Sequence, residues 1–181
     1  MHSPEVVTGL LARLETARNP EVRELLLATL ARLAQREAPW QGDSWSTRPD
    51  TRGPYYQPEA WQETPRILDA LTRLLTDPQT PVEEASFIVA VLGRNRISDN
   101  QHLEQTIELA RKDSRLVPPL LQQLAAVKDL PPQAVPLVIA AARGEETTAE
   151  VLLIAVRLLL PATHADAFPA VIDALATLQQ D

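Results

Sequence analysis

Apolar positions recur along this chain at intervals of three and four, the spacing that gathers side chains on one side of an α-helix. The first run, SPEVVTGLLARLETA at 3–17, places Val6, Val7, Leu10, Leu11 and Leu14 on one face. Ser3 has N-cap chemistry, and Pro4 suits the first helical position, where an amide would have no partner. A second run follows at 19–33, and others cover 64–75, 80–92, 100–111, 113–125, 132–143, 147–159 and 165–179. In the run at 64–75, Thr64 is the expected cap, with Ile67, Leu68, Leu71, Leu74 and Leu75 inward. Leu103, Ile107 and Ala110 mark the next partner helix, and Val135, Leu137, Val138 and Ile139 the one after, with Gly144 as its C-terminal cap. The last run aligns Phe168, Val171, Ile172, Leu175 and Leu178 on one stripe. No segment sustains alternation with period two, so nine helices and no sheet are predicted.

The runs also repeat as units. NPEVRELLLATLARL at 19–33, TPVEEASFIVAVL at 80–92, DSRLVPPLLQQLA at 113–125 and TTAEVLLIAVRLL at 147–159 share a polar or proline-marked start and an apolar continuation. Val82, Val117 and Val151 are 35 and 34 residues apart. Val22 precedes Val82 by 60 residues, which becomes a similar period once a stretch of about 23 residues is removed. The repeat length and the form N-P-x-V-R at 19–23 resemble HEAT repeats, including their shorter lyase-like variety. The predicted fold is all-α: an α-solenoid of about four and a half HEAT-like helical hairpins, spanning 1–181 as a single domain. FIVAVL at 87–92 and VLLIAVRLLL at 151–160 are apolar nearly all round, as expected of helices sandwiched in a stack. The final helix is a lone A-type helix without its B partner, so the chain is expected to be a segment of a longer polypeptide.

The interruption is an insertion at 37–60. PWQGDSWSTRPDTRGPYYQPEAW at 39–61 holds Trp40, Trp45, Tyr55, Tyr56 and Trp61, five of the seven aromatics. Gly42, Pro49, Gly53 and Pro54 exclude regular helix and strand and predict successive tight turns. Arg48 and Arg52 balance Asp43 and Asp50, which points to internal ion pairing rather than a charged patch. So many rings predict an ordered loop. Two roles fit it. The rings and arginines plug the junction between the first two repeats, or Trp40, Trp45, Arg48, Asp50, Arg52, Tyr55, Tyr56 and Trp61 form a binding face of the kind used at interface hot spots and on carbohydrates.

STRPDTRGPYYQPEAW at 46–61, an amphipathic helix, and VLGRNRI at 91–97 together resemble a region of very large multidomain proteins of planctomycetes and related bacteria. There a HEAT-repeat section carries a W-x-G-T-R-P-D-T-x-G-P-Y-Y-type loop, often joined to a β-propeller-like, dehydrogenase-type domain and a c-type haem domain. The dense part covers about 50 residues. Ser46 stands where that pattern has Gly, and the chain has no C-x-x-C-H, so haem binding does not carry over. The resemblance implies a periplasmic or cell-envelope location and contacts with neighbouring domains.

Composition narrows the chemistry. A formal charge of −7 argues against nucleic-acid binding, which rests on Lys and Arg neutralising phosphates. Without cysteine there is no disulfide, thiolate nucleophile or Cys zinc site. The apolar run at 151–160 falls short of the roughly 18–20 residues that span a bilayer. His2, His102 and His164 lie in different repeats, so no metal site is predicted, and His102 and His164 read as exposed polar residues. Glu83-Glu84 and Glu145-Glu146 sit where helix N-termini favour acids. Gly93-Arg94-Asn95-Arg96 reads as a helix end whose arginines face the last carbonyls, with an anion or partner contact as the alternative. The expectation is a non-catalytic scaffold with protein partners and no cofactor. A phycobilin-lyase-like HEAT enzyme and a carbohydrate-binding module are the alternatives.

Overall fold

The computed structural model describes residues 2–42, 53–97, 100–127, 129–144 and 147–179, with only the backbone of 100–102. Among the described residues there are nine α-helices: α1 (Pro4–Thr16), α2 (Pro20–Leu33), α3 (Thr64–Thr76), α4 (Val82–Arg94), α5 (Asn100–Lys112), α6 (Val117–Leu124), α7 (Val135–Ala142), α8 (Ala149–Leu159) and α9 (Ala167–Leu178). The fold is all-α apart from a short ladder. There β1 (Arg36–Glu37) runs antiparallel to β2 (Pro58–Glu59), with Arg36 opposite Glu59 and Glu37 opposite Pro58. That ladder corrects the expectation of no sheet. Two residues per strand are too few to leave a period in the sequence.

The helix starts follow local chemistry. Ser3 Oγ accepts the Val6 amide at 3.5 Å, Asn19 Oδ1 the Val22 amide at 3.2 Å, and Thr148 Oγ1 the Val151 amide at 3.4 Å. Val22, Val82, Val117 and Val151 all fall in the first turn of α2, α4, α6 and α8, and all are half-buried. Helix α7 starts at Val135 rather than 132, after a turn that leaves Pro136 in its first turn.

The chain divides into two compact units, Met1–Asn95 and Arg96–Asp181. In the first, α2 packs against α1, α3 and α4. Val7, Leu27, Leu30, Ile67, Leu71, Ile88 and Leu92 are buried between them. The α1 face is narrower than predicted, since Val6 is exposed and only Val7 and Leu14 are buried. Arg23 of α2 joins three helices. Its Nε and Nη2 donate to the two carboxylate oxygens of Glu84 on α4 at 2.6 Å, and Nη1 donates to the Leu14 and Ala17 carbonyls ending α1. Glu84 therefore does more than meet a helix dipole, and its hydrogen bonds hold the Arg23 guanidinium above its ordinary, already high pKa.

Two predicted caps work differently. Thr64 is the first residue of α3 and caps nothing; its hydroxyl donates to the Ala34 carbonyl at 2.6 Å and accepts the Trp61 amide at 2.9 Å. Gly93 lies within α4. Asn95 closes that helix, its Nδ2 on the Val91 carbonyl at 2.8 Å, and Arg96 takes the left-handed turn at φ 55°. Arg94 turns back towards the Phe87 ring, 5.6 Å from its centroid, rather than to the last carbonyls.

In the second unit, α8 packs against α6, α7 and α9, and α7 against α9. Leu103, Ile107, Leu120, Leu121, Leu124, Leu152 and Leu159 are buried. Gly144 follows α7 without a left-handed turn; a Cβ there would need the Thr147 hydroxyl to move, while its nearest backbone neighbours lie at ordinary contact distance. Helix α9 keeps only part of its predicted stripe inward: Val171 is buried as expected and Leu178 is half-buried. Ala167, Ala170, Val171 and Ala174 face inward, while Phe168, Ile172 and Leu175 are exposed.

Two substitutions test this packing. Gly9 sits mid-α1 with nothing within 4 Å of an added Cβ, so Gly9→Ala is expected to raise unfolding free energy by about 0.5–1 kcal/mol in urea titration. Ala170 is fully buried in the α9 contact, and Ala170→Leu is expected to lower it by about 1–3 kcal/mol through overpacking.

Candidate functional site

The loop base is built by the end of α2, the β1–β2 ladder and the approach to α3. Helix α2 leaves its last carbonyls without intrahelical partners, and the returning chain supplies donors. Trp61 Nε1 donates to the Leu33 carbonyl at 2.7 Å, beside the Thr64 bond to Ala34. Glu37 then fixes the returning strand, its two oxygens accepting the Tyr56 and Gln57 amides at 2.8 Å each. The Ala38 amide donates to the Gln57 carbonyl at 2.8 Å, and Arg36 pairs with Glu59 at 2.7 Å. Gly42 has φ 79°, a left-handed conformation that suits glycine.

The rings differ in burial. Tyr55 and Trp61 are half-buried. The Arg32 guanidinium lies 3.4 Å from the Tyr55 ring centroid, a cation–π contact. His2 meets the Trp61 ring edge-on at 5.1 Å, lies 6.1 Å from Tyr55, and is within 2.8 Å of the Gln35 carbonyl through Nε2. Trp40 and Tyr56, by contrast, are 41% and 49% exposed. Of the predicted set, Trp40, Tyr55, Tyr56 and Trp61 therefore gather at the loop base, two packed and two open. Trp45, Arg48, Asp50 and Arg52 lie outside the described residues.

Sequence reasoning missed His2, Arg32 and Glu37. Arg32 is one more polar position of α2, and His2 is far from the loop in the chain. Only Glu37 had a legible signal, as an acid next to a predicted turn region whose amides need acceptors.

A second surface lies in the other unit. Phe168, Ile172 and Leu175 of α9 are 73%, 50% and 42% exposed. They lie at i, i+4 and i+7, hence along one side of the helix. Leu153 and Leu160, in and just after α8, are exposed as well. No group of His, Asp and Glu among the described residues is arranged to hold a metal ion, and no described helix is long and apolar enough to cross a membrane.

Searches against family profiles, curated proteins and solved structures return no match.

The two ring groups predict different mutant behaviour. Tyr55→Ala should lower stability by about 1–2 kcal/mol, combining the lost cation–π contact with lost ring packing. Tyr56→Ala should stay within about 0.5 kcal/mol. Urea titrations followed by Trp fluorescence compare them directly.

Proposed function

We propose that this chain is a non-catalytic helical-repeat scaffold that binds other proteins, or neighbouring domains of the same polypeptide, through exposed apolar side chains. The α9 surface carries the reading. Phe168, Ile172 and Leu175 keep large apolar side chains in water while Ala167, Ala170, Val171 and Ala174 make the inward packing. An apolar row of this kind marks a contact surface more often than an accident of composition.

Several observations support a HEAT-like stack beneath it. Each B-type helix starts with the half-buried repeat valine, and α2 packs on α4, α6 on α8 and α7 on α9, the next-but-one contacts expected of stacked hairpins. The common period supports reading 1–181 as one array in sequence. The resemblance of the loop to large planctomycete proteins favours a place within an envelope-associated redox or sugar-processing protein.

The Ser3 hydroxyl holds the Glu5 carboxyl low, Glu84 holds Arg23 high, and Arg115 holds Asp113 low. Each arises from a helix cap or an ion pair within the fold. The exposed Trp40 and Tyr56 favour carbohydrate stacking as a second reading.

Affinity capture from the source cells with the natural chain and with Phe168→Ser/Ile172→Ser/Leu175→Ser, followed by reconstitution with the purified partner, tests the proposal. The triple variant should keep its helical circular dichroism and bind the partner at least about tenfold more weakly. Equal capture by both chains would sink the scaffold reading. Saturable oligosaccharide quenching of Trp fluorescence, abolished by Trp40→Ala, would favour the second.

A further inference from the structure

We propose that the arginine-lined groove between α1 and α3 binds an acidic, partly apolar segment of a protein partner. The groove encloses about 560 Å³, a volume within the range of ligand-binding clefts. Leu11, Ala70 and Leu74 contribute an aliphatic lining, and Arg18, Arg66 and Arg73 bring guanidinium groups to it. Arg23 also lines it, but its charge is met by Glu84, and Arg66 shares its charge with Glu63 at 3.2 Å. Glu15 is the one acid in the lining. Among the described residues neither Arg18 nor Arg73 has a carboxylate within ion-pair distance. The lining thus keeps two guanidinium groups, Arg18 and Arg73, without a paired carboxylate among the described residues, on a chain whose formal charge is −7.

The arginines are also held apart. Arg66 donates through Nη1 to the Thr8 hydroxyl at 2.9 Å, across the groove on α1, and to Glu63 at 3.2 Å. Arg73 Nε donates back to the Asp69 carbonyl at 3.3 Å. The two residues are separated by two turns of α3, about 10 Å along its axis. A single compact anion would engage one of them and leave the aliphatic lining wet. A segment with carboxylates two helical turns apart and apolar side chains between them would meet both arginines and the lining. Three arginines are too few for nucleic acid to overcome the acidic remainder of the chain.

The inference rests on the scaffold reading only in taking the partner to be a protein. Fluorescence anisotropy with a labelled amphipathic peptide of Leu, Ala and Glu, its glutamates two helical turns apart, tests it alongside the glutamine counterpart. The glutamate peptide should bind the full chain at least about tenfold more tightly, and the difference should shrink as salt rises. Arg66→Gln/Arg73→Gln should erase most of the preference with circular dichroism unchanged, whereas Arg157→Gln should keep it. Equal binding of both peptides by the natural chain would overturn the proposal without relying on any variant. Displacement of the peptide by dilute inorganic phosphate would overturn it in favour of a compact anion. Phe168→Ser/Ile172→Ser/Leu175→Ser should bind the peptide normally, so failure at the groove and failure at α9 are read separately.

Discussion

The Arg23–Glu84 pair is the constraint on which the first unit depends. It links residues 61 positions apart and is largely sheltered from solvent, with 20% and 12% of the two side chains exposed. A half-sheltered charge is costly unless it is fully engaged. Arg23 is engaged on both sides: two of its nitrogens face the Glu84 carboxylate, and the third takes the carbonyls that end α1. One side chain of α2 thus ties the end of α1 to the first turn of α4. The loop base and the α1–α3 groove are built on the same helices, so both surfaces inherit their geometry from this contact.

Much of the fold was legible because helical spacing and proline placement report on local structure. All nine helices lie within or close to their predicted runs, and Ser3 caps as expected. What spacing could not report was which side of an apolar helix faces inward. Helix α9 offers two sides, one of large residues and one of alanines, and hydrophobicity favours the large ones. Close helix packing favours the small ones, because Ala167, Ala170 and Ala174 let α9 approach its neighbours without voids. Thr64 and Gly93 failed as caps for a related reason. Each sits at a chain position with the right chemistry, but a tertiary partner or a neighbouring residue took the role.

The loop was legible in composition and only partly in arrangement. Its rings do order the described base, yet they do so through residues outside the insertion. His2 and Arg32 pack Tyr55 and Trp61, and no pattern within 39–61 names either. Glu37 and the two-rung ladder fix the returning strand, and of the described rings two are packed and two exposed. Plug and binding face were opposed in the sequence reading; at the loop base the chain contains features of both. The second unit presents its apolar row independently, on a helix whose inward contacts are made by small side chains.

Trp40 and Trp61 belong to the first unit and Trp45 lies between them in the chain, so intrinsic fluorescence reports chiefly on that unit's unfolding. The most direct measurement is a double-mutant cycle in urea with Arg23→Ala, Glu84→Ala and the combined variant. A coupling of about 1–3 kcal/mol is expected, because either single change strands a sheltered charge that the double change removes. Additivity to within about 0.3–0.5 kcal/mol would contradict the account, placing the organisation of the first unit in its aliphatic core alone.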